Sequence, residues 1–376
     1  MYFPKSKTDF SEKIRGEMNF FTTLLLKSFS RRRKEILSEP TDIKKVLIIW
    51  QHNQLGDLIV SYPLYRAIKE NFPGVSLTVI LSPANYRGLE TCQYIDKLFV
   101  FDKRNLKSFS YLKELKSILR NNYDVVIVPS VVSISFTSNF LAGLSKAKFK
   151  IGPNSLNGIA NESNFFFDKR VDLDWRNTPD KHVAERTLDI LKPLGLTTSE
   201  LHPQISYSKV EYNDIQNFIN SIPGNKSTKI IGFHIGAGKP QNRWHYNNFS
   251  ELINLLCAKN NYRIYFTTGG KEDFELIKLV QQKLNVQTAI FDQRGISKLY
   301  ALIEHSDLFI TNDTGPMHVA AASSKPVISL FGSTNPHMWR PLKENKKFIR
   351  VSDNINDIKV EAVLELSKSL LETDRT

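Results

Sequence analysis

Short apolar runs alternate with amphipathic stretches from Lys44 onward. KKVLIIW, SLTVILS, KLFVFD and DVVIVPS read as buried strands; GDLIVSYPLYRAIKENF and SYLKELKSILRNN carry apolar residues at helical spacing. After Gly152 the pattern turns irregular, and a helix resumes in KHVAERTLDILKPLGL. The second half repeats the scheme, with strands in TKIIGFHIG, YRIYFTTGG, TAIFD, DLFIT and VISLFG and helices between them. Such alternation predicts parallel sheets covered on both faces: an α/β chain of two doubly wound, Rossmann-like domains facing a central cleft. The predicted divisions are a basic amphipathic extension (1–42), a first domain (43–205), a linker (206–224), a second domain (225–352) and a C-terminal helix (353–376) able to cross back onto the first. Doubly wound sheets bind ligands at the carboxyl ends of their strands, so the cleft is the expected active site.

The sharpest local pattern is DLFITNDTGPMHVAAASSKPVISLFG. Asn312-Asp313-Thr314-Gly315 is a turn between a strand and a helix, and Pro316 suits the first helical turn, where its missing N–H costs nothing. Thr314 and Gly315 thereby offer backbone N–H groups at a helix N-terminus, a geometry that attracts phosphate. Asp313 and His318 flank this turn; each has a structural reading, turn stabiliser or buried ring, beside a phosphate-binding one. In HIGAGKPQNRWHYNNF the Gly-Ala-Gly-Lys segment fails both the P-loop and the GxGxxG spacing, which leaves a loop carrying Lys239 and Arg243. These cations would neutralise a diphosphate leaving group.

After the first strand comes Gln51-His52-Asn53-Gln54-Leu55-Gly56-Asp57. Asp57 is either a helix cap or a general base over the cleft, and His52 is a second candidate base. Asp172-Leu173-Asp174 has the form of a cation-binding pair but falls in an irregular stretch, and is read as a solvated loop. Neither a Ser/His/Asp triad nor an HExxH metal motif occurs, so hydrolysis by either route is not expected.

Composition adds limits. The 376 residues suffice for two cores, and two cysteines, Cys92 and Cys257, argue against a disulfide framework. A formal charge of +13 implies an acidic partner, and no nucleic-acid-binding signature accompanies it. No apolar run reaches the roughly 20 residues of a membrane span. Met18, Phe21, Leu25 and Phe29 would share one helical face, with Arg31-Arg32-Arg33-Lys34 beyond. This segment is either an anionic-membrane anchor or a further helix on the first domain.

VLIIWQHNQLGDLIVSYPLYRAIKENFPG, KHVAERTLDILKPLGL, HIGAGKPQNRWHYNNFSELINLL and the Asp-Thr-Gly-x-x-His and Phe-Gly-x-Thr-x-Pro of the donor-side stretch together resemble the lipopolysaccharide heptosyltransferases, glycosyltransferase family 9 of GT-B fold. The resemblance runs from about Lys44 to the C-terminus. It implies inverting transfer of a sugar, heptose above all, from an ADP-sugar to a lipid-linked saccharide, with neither metal nor other cofactor. Carried over by position, it implies Asp57 as general base. It assigns Arg243 with Asp313, Thr314, Gly315 and His318 to the donor diphosphate, where the loop reading adds Lys239, and Asp273, where many members have Glu, to the donor ribose. Acceptor-side candidates are His52, Gln54 and His182. The first domain would then take the acceptor and the second the donor, in a cytoplasmic protein peripheral to the inner face of the membrane. A GT-B glycosyltransferase using another nucleotide sugar, a GT-B sugar-nucleotide epimerase and a nucleotide-sugar-binding protein with an inactive site are the alternatives.

Overall fold

The computed structural model describes residues 42–51, 54–292 and 295–373. The predicted N-terminal helix with its basic run, and His52, lie outside the described residues.

The first domain begins with β1 (Lys45–Trp50), α1 (Leu55–Val60), α2 (Tyr62–Asn71), β2 (Ser76–Leu81) and β3 (Lys97–Val100). It continues through α3 (Phe109–Leu119), β4 (Val125–Ile127), α4 (Phe136–Leu144), β5 (Phe149–Leu156), β6 (Ile159–Ala160) and β7 (Lys169–Leu173). Its sheet runs β3-β2-β1-β4-β5, with β6 antiparallel and β7 parallel to β5. Val46 to Trp50 are all buried, as expected of a central parallel strand covered on both faces. The stretch read as one helix is two: Ser61 ends α1, its Oγ donating to the Leu58 carbonyl, and Pro63 sits in the first turn of α2. The expectation of a solvated loop at Asp172 is corrected. Asp172 belongs to β7 and accepts from Asn154 and Ser155, while Asp174 pairs with Arg176.

After α5 (Val183–Arg186) the chain enters α6 (Lys209–Ser221), in the region predicted as a linker. Ser208 accepts from the Glu211 N–H, and the Glu211 carboxylate accepts from the Ser208 N–H. This capping box starts a helix that the mixed polar sequence hides. The second domain follows with β8 (Ile230–His234), α7 (Tyr246–Cys257), β9 (Arg263–Thr267), α8 (Lys271–Gln281), β10 (Thr288–Phe291) and α9 (Ile296–Glu304). It ends with β11 (Leu308–Asn312), α10 (Gly315–Ala322), β12 (Val327–Leu330), α11 (Pro336–Trp339), β13 (Lys346–Ile349) and α12 (Val360–Thr373). All six strands are parallel in the order β10-β9-β8-β11-β12-β13. α6 packs on α9, where Lys298 reaches Asp214 at 2.7 Å and Ser297 donates to Glu211.

The C-terminal helix does not cross back onto the first domain. Val360, Val363, Leu370 and Leu371 of α12 join Ile231, Phe233 and Leu252 in the second core. The Trp244 indole fixes the approach by donating to the Ile358 carbonyl at 3.0 Å. The apolar stripe of α12 thus finds its partner on the sheet immediately preceding it.

Candidate active site

In the second sheet the strand order reverses between β8 and β11, which places the loop 235–244 beside the turn 312–315. Asn312 ties them together. Its Nδ2 donates to the carbonyls of Ile235 (2.9 Å) and Gly236 (3.2 Å), and its Oδ1 accepts from the Trp244 N–H at 3.2 Å. Asn312 is fully buried, so losing it would leave these backbone groups without their partner. Sequence reasoning passed over it as part of a turn.

Thr314, extended at φ −160°, precedes α10, with Pro316 in the first turn. The N–H groups that begin a helix have no intrahelical acceptor, and Thr314 and Gly315 stand at that end of α10. Asp313 accepts from Asn242 at 3.3 Å, and burial raises its pKa against the opposing Thr334 hydrogen bond and the Lys239 charge. Lys239 is exposed beside that turn. Arg243 is more committed than its sequence position implied. Its Nε and Nη2 donate to the Ala237 carbonyl at 2.9 and 2.7 Å, and both terminal nitrogens engage Glu272 at 2.5 and 2.9 Å. A diphosphate would share this guanidinium with Glu272 or displace it. The Glu272 side chain is 69% exposed, so it can swing into solvent.

The first domain meets this turn through α1. A Cβ on Gly56 would lie 2.5 Å from His318 Cδ2, and one on Gly315 would touch Leu55 at 3.4 Å. Only a glycine at 56 lets the two helices come this close, and Asp57 is the next residue, buried in the first turn of α1. Gln54 stands exposed at the start of that helix. His182, the third acceptor-side candidate, lies at the seam between the domains. Its Nδ1 accepts from the Ala184 N–H and its Nε2 lies 2.9 Å from the Arg340 carbonyl, so both nitrogens are used and the ring bridges the domains.

His182 and His318 face the same interdomain seam, and burial pushes their pKa values down to about 4 and about 3. Both are neutral in the fold at pH values where the unfolded chain, with histidine near 6.5, binds protons. Stability they support is therefore present above about pH 6.5 and lost as pH falls towards 4. For His182 the difference is on the order of 3 kcal/mol. Urea denaturation at stepped pH should show midpoints falling through this window, with a shallower fall in His182→Gln. An identical slope in that variant would remove His182 from the effect.

A cavity of about 720 Å³ opens between the domains. Phe274, Phe291, Ile296 and Leu299 give it apolar walls, and Thr268, Gly269, Gly270 and Lys271 line a polar side. Leu55, Ala84 and Arg87 close it from the first domain. His234 also lines it, held by Thr267 at 2.9 Å with its pKa lowered by burial. Asp273 stands behind the wall rather than on it. Its Oδ2 accepts from the Gly269 N–H at 2.7 Å, and its Oδ1 occupies the space a Cβ on Gly236 would need. Arg87 was missed because a lone exposed arginine after a strand carries no sequence signal.

Comparison with known proteins adds three findings. The model for glycosyltransferase family 9 (heptosyltransferase) matches residues 112–368, more than half of the chain. Lipopolysaccharide heptosyltransferase 3 of Escherichia coli K12 is 26% identical over 304 residues, covering 77% of this chain and 83% of that protein. Among solved structures, a family 9 glycosyl transferase from Veillonella parvula covers 90% of this chain and 100% of its own, at 24% identity and TM-score 0.77. The E. coli ADP-heptose LPS heptosyltransferase II covers 88% and 100%, at 22% identity and TM-score 0.72. These structures share the fold: two Rossmann-like domains facing a cleft.

Proposed function

The chain belongs to glycosyltransferase family 9, and from that premise we propose that it transfers heptose from ADP-heptose to a hydroxyl of a lipopolysaccharide-core saccharide, with inversion and without a metal. The observation that carries this reading is the approach of Gly56 to His318, which packs α1, with Asp57 in its first turn, against α10 beside a cavity large enough for a nucleotide sugar. In this reading the donor diphosphate lies on the Thr314 and Gly315 amides, with Lys239 and Arg243 supplying positive charge. Asp273 Oδ2 holds the Gly269 N–H, and Gly269 lines the cavity, so Asp273 shapes the ribose side of the site through that glycine. The base stacks between the apolar walls that include Phe274 and Phe291.

Asp57 takes the proton of the acceptor hydroxyl as its oxygen attacks the anomeric carbon. The bond to the diphosphate oxygen breaks on the opposite face, and helix amides with the two cations hold the departing charge. The names of similar proteins support the donor and the acceptor class: ADP-heptose for one, lipopolysaccharide for both. Three or more His, Cys, Asp or Glu gathered for a metal ion are not found among the described residues. No helix among them is long and apolar enough to cross a membrane.

Thermal denaturation with ADP, UDP, GDP and CMP, each with and without EDTA, tests the donor assignment. ADP should raise the midpoint most, EDTA or not. At a hundredfold excess over Kd the stabilisation is about 2.7 kcal/mol. A preference for UDP or GDP would discard the heptose donor, and stabilisation abolished by EDTA would discard metal independence.

A further inference from the structure

We propose that the outer face of α3 and the turn before it dock the protein on an anionic phospholipid surface. The helix is two-faced. Leu115, Ile118 and Leu119 are buried in the first core, and Tyr111 points inward to accept from the Asp102 N–H at 2.7 Å and donate to the Val100 carbonyl. Phe109, Leu112, Lys113 and Lys116 recur at the spacing of one helical face and are exposed on the other side. Phe109 is 82% exposed, more than any other large apolar side chain among the described residues, and Leu112 and Leu106 beside it are about 40% exposed.

Charge selects the occupant. Residues 103–120 carry six basic side chains and one acidic, Glu114. Asp102 neutralises only Arg104, at 2.7 Å, and Lys103, Lys107, Lys113 and Lys116 remain exposed around the three apolar side chains. An aromatic and two leucines ringed by lysines complement a bilayer interface, where the apolar groups enter the acyl boundary and the ammonium groups meet lipid phosphates.

The position agrees. The turn leaves the carboxyl end of β3, two strands from β1 in the same parallel sheet, hence about 10 Å along the edge from the loop that leads to Asp57. A surface held there brings the mouth of the cleft to the membrane. This deepens the lipid-linked acceptor of the function proposed above and rests on that reading for its purpose, though not for its geometry.

The test uses the full chain, sedimented with vesicles of phosphatidylcholine alone or with phosphatidylglycerol. Binding should require phosphatidylglycerol. Lys107→Gln with Lys113→Gln should lower the partition coefficient roughly tenfold or more, since each lysine near such a surface contributes about a fivefold factor. Phe109→Ser with Leu112→Ser should lower it severalfold while leaving transfer to a lipid-free saccharide unchanged. Cys92 and Cys257 are buried, so an environment-sensitive dye can be placed on Phe109→Cys. Its emission should shift to the blue on anionic vesicles, and a dye on Val210→Cys, exposed on α6, should not change.

Equal binding to both vesicle types, wild-type binding in both double variants, or an unchanged dye at position 109 would overturn the proposal. So would a dye already shielded without vesicles, which would mean that the chain covers the patch itself. Absence of transfer to any saccharide by the wild type would count against the enzymatic reading and leave the vesicle result standing.

Discussion

Asp57→Asn should lower kcat for sugar transfer by a hundred- to ten-thousandfold, the order that a positioned general base contributes. Asparagine keeps the shape of the side chain but cannot accept the proton of an attacking hydroxyl. Asp57 is 3% exposed and lies in the first turn of α1, one residue from the Gly56–His318 contact, so a packed helix rather than a mobile loop carries it. The cavity proposed for the nucleotide lies mainly in the second domain, and the variant should therefore retain the thermal stabilisation by ADP. Loss of transfer with retained ADP binding separates a missing base from a misfolded site. Near-wild-type turnover would refute the assignment and turn attention to His52.

Arg243→Ala should cost on the order of a hundred- to a thousandfold in kcat, comparable to removing a group that stabilises developing negative charge. The guanidinium also holds the Ala237 carbonyl, so the alanine variant loosens the loop as well as removing charge. Two controls divide these effects. Arg243→Lys keeps the charge without the planar fork and should recover part of the rate. Glu272→Gln weakens the competing carboxylate interaction and should leave kcat near wild type with a lower KM for the donor. Unchanged kcat in Arg243→Ala would mean that Lys239 and the α10 amides hold the leaving group without it. A fall in Glu272→Gln as deep as in Arg243→Ala would make the ion pair itself the requirement.

Local chemistry made much of the architecture legible. Runs such as VLIIW and YRIYF can only be buried strands, and the amphipathic stretches between them can only cover a parallel sheet. The turn at Asn312–Gly315 was equally plain, because Pro316 and the small residues after it permit a helix and little else. Where the reading failed, the partner was remote in sequence. The region 206–224 looked like a linker because its helix has few apolar residues; capping by Ser208 and Glu211 and contact with α9 supply what burial does not. The last helix carries an apolar stripe that would suit either domain, and the Trp244–Ile358 hydrogen bond shows which it joined.

The sequence by itself determined the elements, their alternation and the residue types able to bind phosphate or take a proton, because these depend on neighbours within a few positions. Only the tertiary structure decided that α1, which carries Asp57, packs against α10, that His182 spans the domains and that Arg87 faces the interdomain cavity. It also decided that Glu272 already occupies Arg243. Each of these rests on groups between 29 and more than 200 residues apart in the chain. Burial, shape and charge choose such partners after the sheets have formed, and no local pattern encodes that choice.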